Sequence, residues 1–177
     1  MRGPAGTAFA DSPDMATLVG KQSEPVKLLR SLVELDYDAI DAYEAAIDRL
    51  DDAQIRTRLE AFCDDHRRHV ATLNPIIQRF GGEPVLQGDI KRVLTRGKVV
   101  IGGLFGNRAI LMAMKTNEED TNTAYERAVA QVGLGADVTA ILQSHLSDER
   151  RHREYLVVAL QGLAPEPEMR ASSPSAI

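Results

Sequence analysis

The sequence predicts an all-α fold, a four-helix bundle built from two antiparallel helical hairpins joined by a long crossover. Three observations predict it. Helix breakers are excluded from long stretches of chain, apolar residues recur there at helical spacing, and the connections between the stretches are unequal in length.

The breakers come first. None of the 13 glycines falls in residues 21–80, 107–131 or 136–161, and of the eight prolines only Pro25 and Pro75 lie there. Glycine and proline cost about 1 and 3 kcal/mol in a helix interior, so their exclusion favours long helices. Within these stretches side chains follow steps of three and four, which place them on one helical face. The first stripe is Leu29, Leu32, Asp36, Ile40, Tyr43, Ile47 and Leu50; the second is Ile55, Leu59, Phe62, His66, His69, Leu73, Ile76 and Phe80. A third runs Leu111, Met114, Glu118, Thr121, Tyr125, Val129 and Val132, and a fourth Val138, Leu142, His145, Glu149, His152, Leu156 and Leu160. The predicted helices are 26–50, 53–80, 108–133 and 136–162.

Asp51-Asp52 and Gly133-Leu134-Gly135 are tight turns, which make antiparallel hairpins. Residues 81–106 form the crossover, with a short helical stretch expected at about 89–96. Pro75 removes a hydrogen bond inside the second helix and is expected to kink it. The predicted bundle occupies residues 25–163. Residues 1–24 and 164–177 are rich in Pro, Ser, Gly and Ala, lack the stripe, and are expected to be disordered.

Composition narrows the functional classes. A single cysteine excludes an internal disulfide and fits a reducing compartment. The net charge of −5 gives no electrostatic footprint for nucleic acid. No apolar run approaches the roughly 18–20 residues of a membrane span. The expected setting is the cytoplasm. The Gly-rich stretch 102–106 follows no predicted strand and carries no GK[ST], so it is not read as a phosphate loop. Close helix packing explains it better, and the apolar run 99–104 is an alternative subunit interface, consistent with a homo-oligomer such as a dimer.

The informative residues are polar ones on the inward stripes: Asp36, His66, His69, Glu118, His145, Glu149 and His152. They include every histidine in the chain. Burying ionisable groups unpaired costs several kcal/mol each, so seven together require a common explanation. Asp36 and His66 are equidistant from the first turn, and Glu118 and Glu149 from the second; at ~1.5 Å per residue each pair lies about 22 Å from its turn. The two halves also repeat. Asp36 and Glu118 each precede a tyrosine (Tyr43, Tyr125) by seven residues at an offset of 82, and Asp65-His66-Arg67-Arg68-His69 matches Asp148-Glu149-Arg150-Arg151-His152 at an offset of 83. A pseudo-two-fold cluster between the hairpins follows.

Glu149-Arg-Arg-His152, with an acidic residue on each of helices one and three, resembles the ferritin-like di-iron carboxylate superfamily. The acidic residue seven before a core tyrosine is similar to the bacterioferritin arrangement. The resemblance covers about residues 26–162. It implies a ferritin-like bundle, bound iron (one or two ions) or manganese, and oxygen or peroxide chemistry, that is, a ferroxidase or other oxidoreductase in iron or stress handling. It assigns Asp36, His69, Glu118 and His152 as terminal ligands and Glu149 as a bridge. His66 stands where the family has a second bridging glutamate, and Asp36 is shorter than the usual glutamate. Two divalent ions would therefore leave one positive charge uncompensated, which points to a mononuclear or asymmetric site. Donors without thiolates suit iron, manganese or zinc.

Around this set, Asp65 and Asp148, four residues before His69 and His152 on the same helices, either hold a ring N–H of those histidines or pair with Arg68 and Arg151 at the surface. Tyr43 and Tyr125 either donate to ligand carboxylates or simply pack. His145, whose counterpart in the other half is Phe62, is expected to be a hydrogen-bonded core histidine beside the site rather than a ligand. The alternative to metal chemistry is a non-enzymatic stress-associated bundle acting through self-association, with a structural or vestigial site.

Overall fold

A computed structural model describes residues 19–87, 101 and 103–163. Of the segments expected to be disordered, 1–24 and 164–177, residues 1–18 and 164–177 lie outside the described residues, as does the short helix expected at 89–96. Among the described residues, four long helices form an all-α bundle: α1 (Pro25–Ile47), α2 (Ala53–Arg79), α3 (Asn107–Val129) and α4 (Ala136–Gly162). No described helix is long and apolar enough to cross a membrane.

Local chemistry sets the helix ends. Pro25 opens α1, where its missing N–H costs nothing. Asp52 caps α2, its Oδ1 accepting from the backbone N–H groups of Gln54 at 2.8 Å and Ile55 at 3.0 Å. Gly133 and Gly135 both take φ near +90°, a left-handed conformation that glycine adopts at no steric cost, and so turn α3 back into α4. α1 and α3 stop earlier than the stripes predict. Arg49 N–H bonds to Ala46 O and Gln131 N–H to Ala128 O, a tightened last turn that ends each helix. Val132, expected on the inward stripe, consequently lies outside α3 and is 94% exposed. α2 continues through Pro75 to Arg79.

α1 packs on α2 and α3, and α4 packs on α3 and α2. Contacts at the two ends establish direction. Arg79 at the end of α2 pairs with Asp137 at the start of α4 at 2.7 Å, and Gln131 after α3 donates to Gly20 O before α1. At the other end Asp51 N–H donates to Asn107 Oδ1 at 3.1 Å, and Arg108 donates to Leu160 O at 3.1 Å. All four neighbouring pairs are therefore antiparallel, while α2 and α3 run the same way. The connection from α2 to α3 must traverse the bundle, about 40 Å for a helix of 27 residues. Its first stretch is clamped over α1 and α2: Asn74 exchanges two hydrogen bonds with the Val85 backbone, and Arg30 donates to Glu83 O.

Candidate metal centre

The inward stripes close around an apolar core that includes Leu29, Leu32, Leu59, Leu73, Leu111, Val138 and Leu142. Midway along it, Asp36, His66, His69, Glu118, Glu149 and His152 are all fully buried, and His145 is 4% exposed. The expected cluster exists. Two groups of donors converge so that their ligating atoms lie within 4.8 Å of one another: Asp36, His66, His69 and Glu149, and His66, Glu118, Glu149 and His152.

In the first group Asp36 Oδ1 is 3.0 Å from His66 Nδ1 and 3.4 Å from His69 Nδ1. Glu149 Oε1 is 3.2 Å from His69 Nδ1 and 3.6 Å from His66 Nδ1. In the second, His66 Nε2 faces Glu118 Oε1 and His152 Nδ1 faces Glu118 Oε2, both at 3.6 Å. Four polar atoms of this centre have no hydrogen-bond partner: both Glu149 oxygens, His66 Nε2 and His152 Nδ1. Glu149 Oε1 approaches His69 Nδ1 closely but without hydrogen-bond alignment.

The surrounding residues work in crossed pairs between hairpins. Asp148 of α4 lies 3.2 Å from His69 Nε2 of α2, and Asp65 of α2 lies 3.0 Å from His152 Nε2 of α4. Each aspartate thus serves the histidine of the other hairpin, not the one four residues along its own helix. The surface pairing occurs as well: Arg68 reaches Asp65 and Asp148, and Arg151 reaches the same two carboxylates. With Nε2 occupied outward, the Nδ1 atoms of His69 and His152 both point into the centre. Such outer partners orient a ligand histidine and raise its basicity.

The tyrosines cross likewise. Tyr125 of α3 donates to Asp36 Oδ2, and Tyr43 of α1 donates to Glu118 Oε1. Of the two readings left open for these hydroxyls, donation to a centre carboxylate is the one seen. His145, expected to be a hydrogen-bonded core histidine or a residue beside the site, makes no hydrogen bond through Nδ1 among the described residues. It stacks on His69 at 3.9 Å and 18°, and its counterpart Phe62 packs against His152 in a tilted arrangement at 4.2 Å and 31°.

The electrostatics follow from burial and pairing. Burial raises the Asp36 and Glu118 carboxyls, but the histidines beside each outweigh it and hold both well below the usual carboxylate range. Glu149 goes the other way: burial pushes it up and its histidine neighbours do not compensate. His66 is depressed by burial yet driven well above its ordinary value by Glu149, Asp36 and Glu118. His69 rises to about 10 because Asp148, Asp36 and Glu149 overcome its burial. His145, buried beside His69, is lowered to about 3 and stays neutral. A metal-free centre therefore draws protons onto its histidines, and Glu149 is its least satisfied group.

Sequence reasoning missed Asn122. It is buried and donates to the backbone carbonyls of Glu118 at 2.8 Å and Glu149 at 2.9 Å, tying the two acid-bearing helices together at the level of the centre. Its available signal was a polar residue one turn after Glu118. Thr121, which sits on the third stripe, adds a hydroxyl near Glu118 Oε2 at 3.4 Å.

No curated protein and no solved structure matches the chain. A family model described as "Domain of unknown function (DUF2383)" matches residues 24–131, more than half of the chain. The matched span carries Asp36, His66, His69 and Glu118 and ends before Glu149 and His152. The chain belongs to the DUF2383 family.

Proposed function

We propose that the protein is a ferritin-like metal-binding bundle that holds one or two iron or manganese ions between its hairpins and couples ferrous oxidation to reduction of oxygen or peroxide. The observation that carries this reading is Glu149, a fully buried carboxylate with neither oxygen hydrogen-bonded. A buried carboxylate without hydrogen bonds is costly even with His69 and His66 at ion-pair distance, and a cation between the hairpins would offset that cost. The two other orphaned atoms, His66 Nε2 and His152 Nδ1, are imidazole nitrogens, and nitrogen with carboxylate oxygen and no thiolate suits iron, manganese or zinc.

Asp36, His69, Glu118 and His152 would hold the ions from the flanks, with Glu149 between them and His66 opposite. Bound iron or manganese would supply one-electron chemistry, with ferrous iron as donor and oxygen or peroxide as acceptor. The chain's own residues do the rest. Asp148 and Asp65 keep the ligand nitrogens of His69 and His152 turned inward, Tyr125 and Tyr43 hold the carboxylates of Asp36 and Glu118, and the leucine layers exclude bulk water. Elemental analysis of protein purified without added metal is the direct test. Bound iron or manganese, lost in Glu149→Ala, is expected, together with ferrous oxidation under air; full metal content in that variant would sink the assignment.

A second reading is a non-enzymatic bundle in which the same residues hold a structural zinc ion. The spacing of the donors in the first group favours it, because a closed four-donor site is the usual structural zinc arrangement. Zinc without ferrous oxidation would select this reading.

A further inference from the structure

The two donor groups share Glu149 and His66, and these two residues occupy matching positions of the repeat. They are not chemically equivalent. A carboxylate has two oxygens and can serve both groups at once. A neutral imidazole has one lone pair, and its other nitrogen carries a hydrogen. His66 Nδ1 faces Asp36 and Glu149, while its Nε2 faces Glu118. His66 can therefore ligate in one group only. While it does so, its opposite nitrogen presents an N–H to the carboxylate of the other.

The geometry also says which group wins. Four of the six separations among Asp36, His66, His69 and Glu149 run from 3.0 to 3.6 Å, and all six lie within 4.8 Å. A tetrahedron with bonds of ~2.0 Å has edges of roughly 3.3 Å, so these donors already stand at coordination spacing. Asp36 moreover divides its work, with Tyr125 on Oδ2 and Oδ1 left to the group. In the second group the Glu118 oxygen facing His66 also accepts from Tyr43, and Thr121 lies near the other.

We propose that His66 divides the centre, making it hold one divalent ion tightly among Asp36, His66, His69 and Glu149 and leaving the Glu118, Glu149 and His152 position weak. Nδ1 ligates the tight ion, and the Nε2 hydrogen goes to Glu118. The proposal rests on the reading that the centre binds metal, whichever ion is native. It makes unequal occupancy a property of one imidazole's tautomer, with no change in net charge.

The test titrates the metal-free full-length chain with Zn²⁺, measuring ions retained after desalting and the affinity of each step by calorimetry. One retained ion per chain is expected. The second step should be weaker by at least roughly 10–100-fold, the scale set by loss of an outer partner alone, because the second position lacks a ligand outright. His152→Ala should keep the tight ion, His69→Ala should lose it, and His66→Glu should retain two. Far-ultraviolet circular dichroism checks each variant's fold, and if His69→Ala does not fold, retention by His152→Ala decides. Two equal steps in the unaltered chain, or loss of the ion in folded His152→Ala, would overturn the proposal while leaving metal binding intact. No ion in the unaltered chain would overturn both.

Discussion

Tyr125 of the second hairpin donates its hydroxyl hydrogen to Asp36 Oδ2 of the first at 2.6 Å, with both residues fully buried. Tyr43 does the same for Glu118 in the opposite sense. Two of the three carboxylates of the centre, Asp36 and Glu118, are thus held by a donor from the other hairpin, so docking the hairpins and building the centre are one event. Burial and the neighbouring carboxylates push both phenols well above their ordinary range, so both remain protonated donors. Tyr125→Phe removes a hydrogen bond to an ionised, buried partner, which is worth about 1.5–3 kcal/mol. Urea unfolding of the metal-free variant should show a loss of that size with an unchanged m-value; an unaltered midpoint would mean that Tyr125 only packs.

Asn122 ties α3 to α4 by a different route, through the backbone carbonyls of Glu118 and Glu149. Asn122→Ala should cost about 1–3 kcal/mol, two net hydrogen bonds at roughly 0.5–1.5 kcal/mol each. Because neither bond touches a ligand atom, metal stoichiometry should be retained. Thermal melts alongside elemental analysis separate the two effects, and loss of metal with unchanged stability would contradict this account.

Much of this centre was legible in the sequence because helical spacing converts residue number into height and face. Asp36, His66, Glu118 and Glu149 each lie about 22 Å from a turn. The turns stand at opposite ends of a bundle about 40 Å long, so both pairs meet near its middle. The crossed partners were not legible. The spacing of Asp65 and His69 describes one helix and carries nothing about which neighbouring helix a ring nitrogen faces. Asp65 consequently serves His152, and Asp148 serves His69. The stripe through Val132 failed for a local reason, because periodicity does not encode where the last turn tightens. The stack of His145 on His69 depends on helix rotation that spacing does not report.

Pro75 offers a test far from the chemistry. It is exposed within α2, and its ring removes the hydrogen bond that an N–H would make to the carbonyl one turn earlier. Replacing it by alanine should regain part of the ~3 kcal/mol propensity difference, offset by up to about 1 kcal/mol for the freer unfolded chain. The expected net gain is about 1–2 kcal/mol. Asn74, next to it, clamps Val85 of the crossover. Destabilisation of Pro75→Ala in chemical unfolding would therefore indicate that the proline sets the path of that clamp.

The pH dependence of the metal-free chain follows from two groups with opposite signs. Burial raises the Asp148 carboxyl, but His69 and Arg68 outweigh it and hold it at about 2, below its ordinary 3.8. A depressed carboxyl stabilises fully above its unfolded value and loses that contribution as pH falls from about 4 to about 2. His69 is the reverse. Its value of about 10 exceeds the ordinary 6.5, so its contribution is complete below about pH 6.5 and is lost as pH rises toward 10. The Asp148 and His69 contributions are therefore both complete between about pH 4 and 6.5 and decline on either side, while His145, held at about 3, withdraws stability as pH falls below about 6.5. Asp148→Asn should flatten both limbs, since it removes the acid-titrating group and the principal partner of His69 together. Ligand histidines must be neutral, so metal binding displaces protons and should abolish the alkaline decline. Melting temperatures across pH 3–10, with and without Zn²⁺, check this: an alkaline limb unmoved by the metal would mean that His69 is not a ligand.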